Sequence, residues 1–157
     1  IRSIVTDCAI STDIITGFCG ETDEEHLDTV NLMKEVQYEF AYMFKYSERP
    51  KTLAERRFED DVPEDVKSKR LTEIIDLQLE SSLYWHQQQI GKVKKVLVEG
   101  RSKRSEDEWC GRDGRNSMVI FPKGDFDKGI YIMVKITDCT SATLRGEVVE
   151  ILPPAKA

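Results

Sequence analysis

The sequence predicts an α/β unit followed by a small all-β barrel, and three observations lead to this fold class. Near the start of the chain, a short β-branched run, a glycine-bearing turn and an amphipathic helix follow one another. Beyond residue 91, helical periodicity stops and apolar residues alternate with polar ones. The charge balance also differs between the two halves. Two modules on one chain of 157 residues account for all three observations.

The first module begins with a predicted strand–helix–strand unit. Thr12–Phe18 is short and β-branched, as in a buried strand, and Gly17 and Gly20 turn the chain after it. Thr22, followed three residues later by a glutamate, has the spacing of a capping box and opens the predicted helix Asp23–Val36. The aromatic run Phe40–Tyr46 reads as the second strand. This order predicts a parallel crossover, two units of an α/β barrel or sheet.

A second helix closes this module. Residues 54–62 are polar and predict irregular structure, and Pro63 suits the first turn of a helix that runs to about His86. The stretch QQQIG at 87–91 ends this helix, with Gly91 as a natural stop, and we place the domain boundary at the start of that stretch, after residue 87. The predicted apolar stripe of this helix consists of Leu71, Ile74, Ile75, Leu79 and Leu83.

The second module shows the alternation of short antiparallel strands. Predicted strands cover residues 93–99, 117–121, 130–137 and 143–152, and residues 100–108 form a charged loop. Gly146 interrupts the last strand and indicates a bulge. Four or five strands in so short a stretch predict a small antiparallel barrel of the OB-like kind.

Charge and cysteine content limit the partners. Net charge is −6, but residues 1–87 hold 10 Lys and Arg against 19 Asp and Glu, whereas residues 88–157 hold 13 against 10. The second half therefore predicts a polyanion partner. The four cysteines lack metal-site spacing, so we expect free thiols in the cytoplasm and no metal site, and we expect His26 and His86 at the surface. No apolar run has bilayer-spanning length. The opening IRSIV looks helical and cut, which leads us to expect a fragment.

Two groups of residues could carry function. Thr12, Asp13, Gly17 and Glu21 surround the carboxyl end of the first predicted strand, where a parallel sheet places its ligand, and Phe44 follows on the second strand. Turn, cap and core chemistry explain the same residues equally well. The second group is basic and aromatic, and could track a phosphate backbone and stack on bases, or could form a solvated surface. Its members are Lys92, Lys94, Lys95, Arg101, Lys103, Arg104, Trp109, Arg112, Arg115 and Phe121.

Four motifs in order carry a family resemblance. STDIITGFCGET, AYMFKYSERPKT, PEDVKSKRLTEIIDLQ and KKVLVEGRSKRSEDEWCGRDGRNSMVIFP resemble the carboxyl-terminal part of the radical-SAM methylthiotransferases, in the tRNA-modifying branch. The resemblance implies that residues 1–87 are the last βα units of a radical-SAM partial TIM barrel. It also implies that residues 88–153 are a TRAM domain and residues 154–157 a tail.

The resemblance also implies an activity for a full-length parent. The family's reaction adds a methylthio group at C2 of N6-isopentenyladenosine next to the anticodon, using S-adenosylmethionine and two [4Fe–4S] clusters. The cluster-binding CxxxCxxC motif is absent here, so we expect no bound cofactor, no catalytic residue and no activity in the fragment. The alternatives are a ribosomal-protein or threonylcarbamoyl-adenosine methylthiotransferase relative, or a non-enzymatic RNA-binding module.

Site residues and partners follow from the same resemblance. Cofactor contact is implied for Thr12, Asp13, Gly17, Glu21 and Phe44. Contact with tRNA is implied for Arg101, Lys103, Arg104, Arg112, Arg115, Asn116 and Phe121. The expected partners are tRNA, the missing amino-terminal domains of the same enzyme and, through an exposed barrel edge, a second copy of the chain, with no membrane.

Overall fold

The computed structural model describes residues 1–103 and 105–153, which fall into two compact units. Residues 10–81 form one unit, and residues 1–9 together with the chain from residue 82 onward form the other. The domain limits predicted from the sequence, 1–87 and 88–153, stay a prediction. The elements are β1 Ser11–Thr16, α1 Asp23–Val36, β2 Phe40–Lys45, α2 Leu53–Arg57, α3 Glu64–Gln87, β3 Val93–Arg101, β4 Glu108–Asp113, β5 Met118–Pro122, β6 Tyr131–Cys139 and β7 Leu144–Ile151.

The first unit contains the predicted strand–helix–strand arrangement. Strands β1 and β2 pair in parallel, with Ser11 opposite Phe40 at one end of the register. The capping box is present at the start of α1, where the Thr22 side chain accepts from the Glu25 N–H and the Glu25 carboxylate accepts from the Thr22 N–H. Both strands, helix α1 and the parallel pairing are therefore confirmed.

Helix α3 buries part of the predicted apolar stripe, Ile74 and partly Leu71, together with polar positions that were not predicted. Ile74 is fully buried and packs with Ile14, Met33 and Ala41 in the core of this unit. Two members of the predicted stripe, Leu79 and Leu83, are exposed. The buried positions of α3 at helical spacing from Ile74 carry polar side chains instead, namely Lys67, Arg70, Gln78 and Ser81. The hydrophobic pattern could not reveal them because their burial depends on partners from other elements.

Two local predictions were wrong. Residues 53–57 form the short helix α2, capped by Thr52, within the stretch that we predicted to be irregular. The opening residues 1–7 form turns, not a helix.

The second unit is a closed five-stranded barrel with the strand order β3-β4-β5-β7-β6. Neighbouring strands are antiparallel except for β5 and β7, which pair in parallel where Val119 faces Leu144. The predicted small antiparallel, OB-like barrel is therefore confirmed, except that this one pair is parallel. The connectivity is OB-like. Around the barrel β7 comes before β6, so the last two strands are exchanged relative to their order in the chain.

The barrel core is apolar, and glycine allows two strand pairs to approach closely. Fully buried side chains include Val96, Ile132 and Phe121. At Gly111 an added Cβ would lie 2.2 Å from a carbonyl oxygen of the neighbouring strand, and at Gly146 the distance would be 2.4 Å. The register shifts beside Gly146, but the extra residue there is Thr137 of β6, and the extra residue of β7 is Val149, so the bulge predicted at Gly146 lies elsewhere in that strand. Strand β4 was not predicted, because its sequence EWCGRD lacks a β-branched alternation.

Candidate functional site

The glycine turn after β1 is held by two carboxylates. Gly17 and Gly20 both have left-handed backbones, with φ of 72° and 78°. The Gly17 N–H donates to a Glu21 carboxylate oxygen at 2.6 Å, and the Gly20 N–H donates to Asp61 at 2.6 Å. These acceptors fix the turn and leave its backbone donors engaged.

Arg70 on α3 ties the same turn to the start of α1. Its guanidinium donates to the Glu21 carboxylate at 2.7 Å, to the Glu21 carbonyl oxygen at 3.0 Å and to the Asp23 carboxylate at 2.7 Å. The hydrogen bond from Arg70 is the main reason why the pKa of Asp23 lies below its usual value. Sequence reasoning missed Arg70 because its two partners lie 49 and 47 residues away. A cleft of about 330 Å³ opens beside this cluster.

His26 is buried, which corrects its predicted place at the surface. One ring nitrogen lies 3.3 Å from the Thr16 hydroxyl and the other lies 3.0 Å from the Glu73 carboxylate. Thr16 is fully buried and its hydroxyl also reaches Glu21 at 3.3 Å. A polar network therefore runs from α3 through α1 to the turn. His86, half-buried, has its ring Nδ1 2.7 Å from the Thr140 carbonyl oxygen.

Lys67 passes directly over the turn. Its methylene stem fills the space that a Cβ at Gly17 would need, since Cγ would lie 2.5 Å from that atom. Its ammonium forms an ion pair with Asp60 and lies 5.3 Å from the centre of the Tyr46 ring. Burial and, next, the neighbouring Cys19 raise the pKa of Tyr46 to about 12.

The structure divides the five residues predicted to contact a cofactor. Asp13 and Phe44 share the exposed face of the two-stranded sheet with Ile15 and Tyr42, because Asp13 pairs with Tyr42 and Ile15 with Phe44. Thr12 alternates onto the opposite, half-buried face. Gly17 and Glu21 lie in the turn, already engaged. Of these five residues, Asp13 and Phe44 are the two whose side chains lie together on the solvent-exposed face of the sheet.

Two of the residues predicted to contact RNA lie at the end of β3 and in the β3–β4 loop. Arg101 and Lys103 are exposed there, whereas Arg104 lies outside the described residues. At the β4–β5 turn, Arg112 donates to the carbonyl and side-chain oxygens of Asn116 at 2.8 and 3.2 Å. Exposed cations thus stand at one end of β4 and half-buried ones at the other.

Two of the residues predicted to contact RNA have side chains that are enclosed within the barrel unit. Phe121 is 1% exposed and belongs to the barrel core, so its ring is not available to stack on a base. Arg115 is also enclosed, since its side chain donates to Asp7 at 2.7 Å and lies against the ring of Trp85. Trp109 is half-buried and packs edge-on against Phe126.

The outward face of β4, β5 and β7 combines arginines with apolar side chains. The strand register sets Arg112 beside Met118, Cys110 beside Ile120, and Ile120 beside Arg145. Arg145 donates to the Glu108 carboxylate at 2.9 Å, and Arg112 lies 3.4 Å from Glu99. Burial is the main reason why the pKa of the Cys110 thiol is raised. Sequence reasoning missed Arg145, although the alternation in β7 would have placed it outward.

Within the described part of the chain, no three His, Cys, Asp or Glu side chains gather as a metal-binding group. The four cysteines are free thiols in four different segments. Across the same residues, no helix has both the length and the apolar composition that a membrane span requires.

Comparison with known proteins assigns the barrel first. Residues 87–149 match the family described as the TRAM domain, and this range includes most of the closed barrel. The resemblance of the whole chain is confirmed as well. This chain is 56% identical over 149 residues to a protein of Amoebophilus asiaticus named tRNA-2-methylthio-N(6)-dimethylallyladenosine synthase. Proteins of the same name from Christiangramia forsetii and Phocaeicola vulgatus are 50% and 48% identical.

These similarities cover nearly all of this chain but a minor part of each relative. The alignments include 94% of this chain and only 31–32% of the relatives. The chain therefore spans about a third of the length of the curated relatives that it matches.

Proposed function

We propose that this chain is the carboxyl-terminal part of a tRNA-modifying methylthiotransferase that acts at C2 of N6-isopentenyladenosine next to the anticodon. The observation that carries the proposal is the 47–56% identity, along almost the whole chain, to synthases named for this product. Residues 1–87 would then be the end of a radical-SAM barrel. The parallel pairing of β1 and β2 and the helix between them support this assignment.

The barrel is the RNA-holding part in this proposal. The outward face of β4 and β5 is the face through which OB-type barrels bind oligonucleotides. Here Arg112 and Arg145 flank an apolar centre, and Arg101 and Lys103 extend the charge into the β3–β4 loop. Guanidinium groups bind phosphates with two parallel hydrogen bonds, and apolar surface between them suits the bases.

The residues present fit one of the implied cofactors in part. On the exposed sheet face, the Asp13 carboxylate could accept from a ribose hydroxyl, and the Phe44 ring, 53% exposed, could pack on an adenine. S-adenosylmethionine supplies radical chemistry when bound beside a reduced cluster. The four cysteines lie in separate segments and do not fit a [4Fe–4S] cluster, so we assign no step of the reaction to this chain's own side chains.

Salt-dependent binding of tRNA tests the proposal. The chain should bind unmodified tRNA with an affinity that falls steeply between about 50 and about 200 mM salt, because each neutralised phosphate releases counterions. The double variant Arg112→Ala/Arg145→Ala should bind more weakly and with a shallower salt slope. Arg49→Ala/Arg56→Ala, which removes the same charge from the other unit, is the matched control.

Two results would contradict the assignment. Equal losses in the two double variants would show that only net charge matters, and absence of binding at low salt would refute RNA binding. Competition between tRNA and a ribosomal protein, using the full-length enzyme, separates the tRNA branch from the protein-modifying alternative.

A further inference from the structure

Two cationic side chains of the barrel unit contact a single carboxylate. The Arg115 guanidinium donates to Asp7 at 2.7 Å and the Lys94 ammonium lies 3.8 Å from the other oxygen of the same carboxylate. The charge of Lys92 also acts on it. The hydrogen bond from Arg115 is the largest cause of the lowered pKa of Asp7, so this carboxylate is ionised at neutral pH.

The two contacting cations are largely buried, whereas the carboxylate is mostly exposed. The side chains of Arg115 and Lys94 are 7% and 13% exposed, and that of Asp7 is 71% exposed. Arg115 is held further by the ring of Trp85, 5.6 Å away, and Lys94 belongs to strand β3. An enclosed guanidinium requires an anion, because an unpaired buried charge is costly.

The segment that carries Asp7 rests on the barrel unit through side chains. Residues 1–9 form turns and no ladder, and two of their backbone hydrogen bonds close locally, from the N–H groups of Ile4 and Val5 to the Ile1 carbonyl oxygen. Arg2 also anchors this segment, since its guanidinium lies 4.7 Å from the centre of the Trp85 ring. Displacement of this segment would break few backbone bonds.

We propose that Arg115 and Lys94 form a binding site for a backbone phosphate of RNA, and that Asp7 occupies this site as an internal competitor. The inference rests on the proposed function and names a second place where the barrel holds its RNA. A phosphodiester offers two oxygens to the guanidinium fork, as the carboxylate does, and its charge attracts the Lys94 ammonium group. Exchange would expose only a carboxylate that is already mostly in solvent.

The test compares two substitutions that remove the same charge. Asp7→Asn should raise the affinity for unmodified tRNA about fivefold more than Asp127→Asn does. Asp127 is the control because it lies in an exposed loop of the same unit. A larger gain is not expected, since an ion pair with one mostly exposed partner contributes little free energy. The salt slope should steepen by about one, since at least one further phosphate is neutralised. In the Asp7→Asn background, Arg115→Lys should remove most of the gain, because lysine keeps the charge but loses the fork.

Thermal unfolding of each variant separates binding from folding. Equal affinities of Asp7→Asn and Asp127→Asn would overturn the inference, and so would a lower melting temperature of Asp7→Asn without any gain in affinity. Retained gain in Asp7→Asn/Arg115→Lys would remove Arg115 from the site. If neither wild type nor any variant binds tRNA, the proposed function fails together with this inference, whereas binding without the difference refutes the inference alone.

Discussion

Replacement of Arg70 by methionine should destabilise the first unit by about 3 kcal/mol, the cost of breaking a buried ion pair by removing one partner. The Arg70 side chain is 7% exposed and donates three hydrogen bonds, two of them to Glu21. Methionine fills the volume but leaves the Glu21 carboxylate, 13% exposed, without its counter-ion. The Gly17 N–H still donates to that carboxylate, which keeps the cost below that of a bare buried charge.

The matched control is Asp23→Asn. Asp23 is the other partner of Arg70, but its side chain is 98% exposed, so water replaces the lost contact. We therefore expect a far smaller effect from this change. If Arg70→Met leaves the unit unfolded, the milder Arg70→Lys keeps the charge and should fall between the two.

Two spectroscopic signals separate the two units in a urea titration. Both tryptophans, Trp85 and Trp109, lie in the barrel unit, whereas α1 lies in the first unit together with most of α3. Arg70→Met should shift the helical circular dichroism transition by about 2 M urea and leave the tryptophan fluorescence transition in place. A shift no larger than that of Asp23→Asn would refute the view that Arg70 is the anchor of the turn.

Three further changes test the barrel. Gly111→Ala should disrupt the pairing of β3 and β4, since its Cβ would meet a backbone oxygen at 2.2 Å, whereas Gly114→Ala, with open space around it, should leave the melting temperature unchanged. Phe121→Ala should cost about 3–5 kcal/mol of barrel stability, measured by tryptophan fluorescence in urea, and Phe121→Leu should retain tRNA affinity because the ring is a core residue. Asp7 has a pKa lowered by Arg115, so its stabilisation is complete above pH 3.8, the ordinary value, and is lost as the pH falls through the lowered one. Asp7→Asn should abolish this acid-dependent part of the melting temperature.

Local chemistry explains why some elements were predictable. Helix α1 was predicted with its observed bounds because the signals that start it, Thr22 and Glu25, are three residues apart. The strand β6 was predicted from alternation, since Ile132, Val134 and Ile136 all point into the core. In both cases the determinant lies within the element itself.

Tertiary partners explain what the sequence did not reveal. His26 and Arg70 are polar, and their burial becomes favourable only through carboxylates and a hydroxyl brought in by other elements. Strand β4 depends on Gly111, whose role is to let a neighbouring strand approach, and a lone glycine in a charged stretch gives no pattern. For the same reason the ion pair of Arg115 with Asp7 was not foreseen, since the two residues lie 108 positions apart in the chain.

Because the Lys67 side chain crosses over Gly17, substitutions at these two positions should depend on each other. Residue 17 has a φ of 72°, and the methylene groups of Lys67 occupy the space that its Cβ would need. An alanine at position 17 therefore requires the side chain of residue 67 to move. Among relatives of this chain, any departure from glycine at the first position should therefore coincide with a smaller residue at the second. Loss of the lysine at position 67 would remove the ion-pair partner of Asp60, so substitutions at position 67 should be accompanied by substitutions at position 60.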